Sequence, residues 1–438
     1  MALPRHTTVL IVGAGPTGLS AAISLYQNGF RDLVIVDAVE RMPDTSRAME
    51  IHAATLEALD TIGCADKLVQ LGIKSRSLNI WNRESSMFTM KMTSTLKSHT
   101  KFPFLLVLPQ NKTENVLEEH LKGLGIEVHR PCRIIGMKGN VDAFGNTQVS
   151  FQSGEVIRAQ YVIGADGARS VIRQLNGINF SDPDDVPVDD SLAQVVLADV
   201  VFSSEKAALP TDHVLACIHE GAFSMIIPIP KACLEDSQDQ IYRIAFNIPG
   251  AKGPPPTNPQ LSYLQEHFDA VGPFELTSNP KLNSEPIRIA RCLWSTRFRT
   301  HAAIADKVVF RMHERTDTLG GYVFLVGDAA HVHSPAGGQG MNLGIRDAID
   351  LGVALTEHMR SAPGDALVQG LALQEFGKQR YKSALKVIRL SKKIMGVIAT
   401  LGASSKRVNL QYWLIRFLGS IPAVRKMAAW QVSGLKNR

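Results

Sequence analysis

Residues 7–37 read TTVLIVGAGPTGLSAAISLYQNGFRDLVIVD, and no other stretch constrains the fold as much. An apolar strand runs into the turn Gly13-Ala14-Gly15-Pro16-Thr17-Gly18, a helix follows, and a second strand ends in Asp37. A strand that returns through a helix lies parallel to the first, which predicts a twisted α/β sheet. Gly13 permits the tight turn, Gly15 admits a pyrophosphate, and Gly18 lets helix and strand touch. The free N–H groups of the helix start, with Thr17 in its first turn, attract an anion. Asp37 accepts hydrogen bonds from an adenosine ribose and repels a 2′-phosphate. The site therefore favours FAD or NAD over NADP.

Two more glycine stretches follow predicted strands. Gly164-Ala165-Asp166-Gly167-Ala168-Arg169-Ser170 leads on to Arg173. By itself, Asp-Gly after a strand is also an ordinary turn. The second, VGDAAHVHSPAGGQGMN from Val326 to Asn342, has an acid at Asp328 that can accept bonds from a polyol. Pro335 to Gly340 carry little side chain, and the pattern predicts a helix from Met341-Asn342 onward. No Lys-Ser/Thr follows the glycines, so this is not a nucleotide P-loop. His331 and His333 lack nearby cysteines or further acids, and we expect no metal site.

Helical patterns fall near 53–70 and 110–124, whereas 191–250 reads as strands joined by loops rich in Pro, Asp and Ser. Asn258-Pro259 suits the cap and first position of a helix over QLSYLQEHFDAV. The expected architecture is α/β: a Rossmann-like dinucleotide-binding domain (1–75, 101–185 and 290–360) interrupted by a mostly antiparallel β-sheet substrate domain (76–100 and 186–289). A helical basic C-terminal segment (361–438) closes the chain. Five scattered cysteines, no CxxC spacing, no signal-peptide pattern and no long apolar run predict a reduced cytoplasmic protein.

Residues 376–438 hold 14 Lys and Arg and no Asp or Glu, while the other 33 basic and 41 acidic side chains give the rest a net −8. That tail has no zinc-finger, RNA-motif or basic-zipper signature, which argues against nucleic acid. Leu410, Trp413, Leu414, Phe417, Leu418 and Ile421 recur in it at helical spacing, with Arg407, Arg416, Arg425 and Lys426 nearby. Such a stripe either lies on an anionic membrane or packs on the body of the protein. We expect it to pack, with Pro422 ending one helix and starting another.

The three glycine motifs, in this order, resemble the FAD-dependent aromatic hydroxylases. These are single-component flavoprotein monooxygenases similar to para-hydroxybenzoate and phenol hydroxylases. SRAMEIHAATLEAL, LPQNKTENVLEEHL and FLGSIPAVRKMAAWQVSGL also look like this family. The resemblance implies that one FAD spans both glycine sites. Asp328 would bind its ribitol, backbone at Met341 and Asn342 would meet the flavin ring, and Gly340 would be a further cofactor-binding residue. Arg47 and Gln110 match cofactor contacts, and Asp166 matches a residue linked to FAD and NADPH. NADPH or NADH would serve as transient reductant and molecular oxygen as co-substrate. A phenolic or polycyclic small molecule would be hydroxylated through a flavin hydroperoxide. The alternatives are an epoxidase or quinone-ring hydroxylase on a lipophilic substrate, or a non-catalytic flavin sensor. This chain departs from many relatives in having Ser334-Pro335 where they have Pro-Pro, and we expect it to lack their thioredoxin-like domain.

For the substrate side, Phe223 and Met225 share a strand face by alternation and, with Pro335, are candidates for the pocket wall. His219 is the candidate base, and Arg47 could attract a substrate carboxylate.

Overall fold

The strand His6–Val12 lies between Leu33–Val36 and Val156–Gly164 and runs parallel to both. Leu319–Leu325 adds a further parallel strand beside Val156–Gly164, and Val309–His313 closes that edge in antiparallel sense. Each central strand is a near-continuous apolar run, as a sheet covered on both faces requires. In the computed structural model the described residues are 2–40, 48–139, 146–184, 194–203, 209–234, 239–248, 253–299, 301–313, 319–360, 366–401 and 405–437. Among them this sheet has eight strands. Its register is what builds the site. Val12 is level with both Val36 and Gly164, and Gly164 is level with Leu325. The residues that follow these strands, Gly13, Asp37, Ala165 and Val326, therefore line one edge at the strands' carboxyl ends. In open α/β sheets that edge is where ligands bind.

Two helices cover this edge from one side. Pro16–Gln27 and Gln339–Arg360 approach closely because small residues face each other. A Cβ on Gly352 would lie 2.2 Å from Ser24 Oγ, and one on Gly344 would lie 2.5 Å from Thr17 Oγ1. Ser24 Oγ donates to the Ile349 carbonyl at 2.9 Å. The long helix begins at Gln339, two residues before the predicted start.

The second sheet has seven strands among the described residues. Their order is Ile289–Arg299, Gln194–Phe202, Tyr242–Asn247, Ala222–Pro228, Val214–His219, Ser77–Trp81 and Ser86–Lys91. It is antiparallel except where Val214–His219 meets Ser77–Trp81. One face buries Ile226, Ile244 and Phe246 with Leu264 and Phe268 of the helix Leu261–Val271. The opposite face buries Phe223 and Ala245 with Met395 and Ile398 of the helix Ala366–Thr400. Between two strands, Arg243 pairs with Asp199 through two bonds of 2.7 Å.

Two expectations need correction. The strand Ile289–Arg299 pairs along Gln194–Phe202, so residues 290–299 belong to the second sheet rather than to the dinucleotide-binding unit. The helix expected at Pro259 starts at Leu261, with Gln260 in the cap position. The preceding loop is instead tied to the neighbouring strand. Arg297 N donates to Thr257 O at 2.9 Å, and Ser295 Oγ donates to Pro259 O at 2.7 Å. Pro422 opens the last long helix, Pro422–Val432, as predicted. Among the described residues no helix is long and apolar enough to cross a membrane.

Candidate functional site: a cofactor junction and an apolar wall

Gly13 has φ of 102°, and a Cβ there would lie 2.3 Å from the Ala165 carbonyl oxygen. A Cβ on Gly18 would lie 1.8 Å from Gly13 O. Both glycines are thus required by backbone pressed against backbone. Gly15 is different, because its nearest neighbour would be Glu114 Oε1 at 4.0 Å. It faces open space in front of a helix start that has no side-chain cap. Uncapped N–H groups beside an open glycine fit a pyrophosphate. Asp37 is held in place by accepting from Ala14 N at 2.7 Å and from Val39 N at 2.8 Å. Each carboxylate oxygen keeps capacity for a ribose hydroxyl.

The second motif is a strut. Asp166 Oδ2 accepts from Ile172 N at 3.1 Å and so caps the short helix Val171–Leu175. Asp166 Oδ1 is buried without a hydrogen-bond partner, and burial raises this carboxyl above its usual range. An orphaned acceptor next to Gly13 fits a cofactor donor. Arg173 is buried and donates to Ala168 O and to Ala329 O, each at 2.8 Å. It therefore fastens the second motif to the third.

In the third motif Gly327 has φ of 58°, and its Cβ would lie 2.7 Å from Thr17 Oγ1. The tight turn Gly327–Ala329 carries Asp328 exposed, beside the start of the first helix. The two histidines are engaged separately. His331 Nε2 meets Asp347 Oδ2 at 2.6 Å, and His333 Nδ1 meets Ser334 O at 2.7 Å. Burial alone would lower His331, but the Asp347 carboxylate outweighs it and the imidazole is raised. Burial pushes His333 down to about 4.

Asn342 does more than its expected backbone role. Its Oδ1 accepts from His52 N at 2.7 Å, and its Nδ2 donates to Glu50 O at 2.8 Å and Gly338 O at 2.7 Å. Met341 precedes it, partly buried against the main core. Glu50 and His52 flank the same glycine turn. A Cβ on Gly338 would lie 2.7 Å from Glu50 Oε2 and 3.4 Å from His52 Nε2, and one on Gly340 would lie 4.0 Å from His333 Nε2. Burial pushes Glu50 up to about 7. Burial, with the Arg346 charge, pushes His52 down to about 3. The C-terminal Ser-Gly-Leu closes this region from behind: Ala54 N donates to Ser433 O at 3.1 Å, and Arg346 Nη1 donates to Gly434 O at 3.3 Å.

Gln110 begins the helix Gln110–Gly123, and its Nε2 donates to Glu114 Oε1 at 2.8 Å. Burial pushes Glu114 up to about 7. Sequence reasoning missed Glu50, His52 and Glu114. The available signals were their place in the family-like stretches SRAMEIHAATLEAL and LPQNKTENVLEEHL and the spacing of Gln110 and Glu114, four apart on a helix. Arg47, expected both at the cofactor and as a substrate anchor, lies outside the described residues.

Phe223 and Met225 do share a face. They lie with Val195, Leu197, Ala245 and, from the glycine turn, Ala336. Pro335 itself is exposed; its carbonyl accepts from Gly338 N at 2.9 Å and closes the turn. His219 is on the other face. It pairs with Ala222 across the hairpin while Ile218 pairs with Phe223, so alternation turns it away from the apolar wall. Burial lowers its pKa, with Glu220, Arg83 and Glu84 as its charged neighbours. This placement removes the geometric basis for His219 as the base.

A family model described as an FAD binding domain matches residues 6–257 and 290–373. The chain belongs to this family, and it is an FAD-dependent monooxygenase of the aromatic hydroxylase type with NAD(P)H as reductant. An uncharacterized aromatic compound monooxygenase of Bacillus subtilis is 29% identical over 98% of this chain and 75% of its own length. Rifampicin monooxygenase of Streptomyces venezuelae is 26% identical over 87% of this chain and 69% of its own. Among solved structures, p-nitrophenol 4-monooxygenase from Pseudomonas putida superposes with a TM-score of 0.77 at 20% identity, covering 99% of this chain and 100% of that one. At that identity the likeness establishes the fold.

Proposed function

We propose that the protein hydroxylates a phenolic or polycyclic aromatic small molecule held between the apolar face of the second sheet and the glycine turn 335–340. The observation that supports this reading is the shared cluster of Phe223, Met225 and Ala336, an apolar wall against the turn expected to meet the flavin. The cradle of Gly13, Gly15 and Gly18, with Asp37, Asp166 and Asp328, would hold FAD across both glycine sites. FAD supplies the redox chemistry that links NAD(P)H oxidation to oxygen transfer. The chain's own residues bind, orient and shield. Met225 and Ala336, both partly buried, would present apolar surface to a ring, backed by Val195, Leu197, Phe223 and Ala245, which are buried with Met395 and Ile398 and keep water out. Asn342 fixes the turn, so the backbone N–H groups at the start of the helix Gln339–Arg360 face the cofactor in one geometry. Glu50 Oε2, beside Gly338, holds or releases a proton near neutral pH.

The test is oxidation of NADPH or NADH by the FAD-loaded protein, screened against phenols and hydroxylated polycyclic aromatics under oxygen-18. The expected result is substrate-accelerated oxidation and one labelled oxygen atom in the product. A turned-over substrate that gains no label from molecular oxygen overturns the reading. Relatives of both kinds exist, since pentachlorophenol 4-monooxygenase of Sphingobium chlorophenolicum and the rifampicin enzyme are each 26% identical to this chain.

A further inference from the structure

The helix Ser405–Ser420 lies on the edge of the second sheet the wrong way round for a core helix. Its buried side is narrow: Tyr412 and Gly419 face the sheet, with Ile415 beside them. Tyr412 OH donates to Ile218 O at 3.4 Å, and a Cβ on Gly419 would lie 2.7 Å from Phe88 Cβ. Glycine is what lets the helix seat against Phe88. On a wheel of 100° per residue, Tyr412 and Gly419 lie opposite the stripe of Leu410, Trp413, Leu414, Phe417 and Leu418. That stripe points outward, with exposures of 66%, 59%, 47%, 52% and 41%. Trp413 and Phe417 stack on each other at 5.5 Å, so the patch is a continuous surface rather than scattered side chains. The expectation that the stripe packs on the body is therefore corrected. Packing is supplied by the next element, whose Ala429, with Leu435 after it, joins Ala53, Met90, Met92 and Leu96.

We propose that this face docks on an anionic lipid surface. A contiguous apolar patch of this kind on a monomer marks an interaction site. Charge selects the occupant. The patch sits in the stretch 405–438, which has 7 Lys and Arg and no Asp or Glu. Arg416 is exposed on the same helix, and Lys426 and Met427, the latter at 67%, are exposed on the next one. A second copy of the chain docking through the same face would set basic residues against their own images, since a two-fold contact uses the same patch twice. A bilayer with anionic headgroups instead satisfies both the aromatic stripe and its basic flank. The helix rests on Ile218, whose cross-strand partner is Phe223 of the apolar wall. A lipophilic substrate partitioned into the bilayer would thus be delivered beside the site.

Co-sedimentation of the FAD-loaded intact chain with phosphatidylcholine vesicles, with and without phosphatidylglycerol, tests this at physiological and at high salt. Binding is expected to the anionic vesicles only, and to fall with salt. Trp413→Ser/Phe417→Ser should bind at least about tenfold more weakly while keeping its FAD and its thermal transition, because both side chains are exposed. The proposal is overturned if the intact chain leaves anionic vesicles unbound, or if the double variant binds as the parent does. It is equally overturned if sedimentation shows a parent dimer that the double variant dissociates, which would make the face a self-contact.

Discussion

The two sheets meet at one site and are built on different physics. At the carboxyl edge of the parallel sheet the critical contacts are backbone to backbone, Gly13 on Ala165 and Gly18 on Gly13, with Gly327 pressed against the Thr17 side chain. Side chains there are held by directed bonds to main chain, as in Arg173 to Ala168 and Ala329 and Asn342 to Glu50 and Gly338. On the apolar face of the second sheet, Phe223, Met225, Val195 and Leu197 contribute volume and no directed bonds of their side chains. Backbone contacts tolerate almost no change, whereas apolar volume can be redistributed. On the proposed reading, one region would fix which cofactor binds, and the other would leave the substrate open to variation within a single fold.

The largest expected effect lies on the backbone side. Gly18→Ala would place a methyl group 1.8 Å from Gly13 O, and the obstacle is main chain that cannot rotate away. A cost of about 3 kcal/mol or more follows. The protein should elute without FAD and melt early. A yellow Gly18→Ala protein with an unchanged melting temperature would break the comparison.

Next comes a pH effect confined to the cofactor side. Burial raises Glu114 from 4.5 to about 7. The folded state then binds this proton more tightly than the unfolded chain does. Its contribution is complete below pH 4.5 and is lost as pH climbs through 7. Glu114→Gln keeps a neutral side chain throughout. The stability of that variant relative to the parent should therefore rise between pH 4.5 and 7, by up to about 3 kcal/mol, and then level off. Urea titrations of the apo-proteins across that range measure it. A flat difference would mean that Glu114 is ionised in the fold.

Asp328→Ala is smaller and acts on binding. Removing hydrogen bonds from a charged acceptor costs about 1.5–3 kcal/mol, or roughly 10- to 100-fold in FAD affinity. Asp328 is exposed, so stability of the apo-protein should hardly change. Fluorescence titration with FAD separates the two, and an unchanged dissociation constant would remove Asp328 from the cofactor site.

What could be read from the sequence follows the same division. The glycine motifs were legible because glycine is demanded by backbone approach, and backbone approach recurs wherever this turn is built. Phe223 and Met225 were legible as a shared face, since alternation is a property of any strand. The boundary at 290 was misplaced because a β-strand carries no label for the sheet it joins; Ile289–Arg299 declares itself only through its pairing with Gln194–Phe202. Glu50, His52 and Glu114 lie in family-like stretches, but nothing in those stretches marks them out from their neighbours. Their chemistry comes from burial, which is a property of the assembled fold. The helix Ser405–Ser420 shows a further limit. Periodicity revealed an apolar stripe, but Gly419 and Tyr412, not the stripe, chose the side that packs.

The smallest effect is the sharpest test of the apolar side. Met225 is partly buried and touches both the wall cluster and the main core, so it spans the junction between the two sheets. Met225→Leu nearly conserves volume and adds no polar atom. The stability cost should stay below about 1.5 kcal/mol, and FAD affinity should not move. What should change is the ranking of aromatic substrates by kcat/KM, because a γ-branched side chain fills the wall differently from a flexible thioether. A pocket made of volume responds to shape; a pocket made of directed bonds responds to lost partners. If Met225→Leu released FAD, the wall would prove to be part of the cofactor cradle. If it left every substrate in the same order, the wall would not be where the substrate sits.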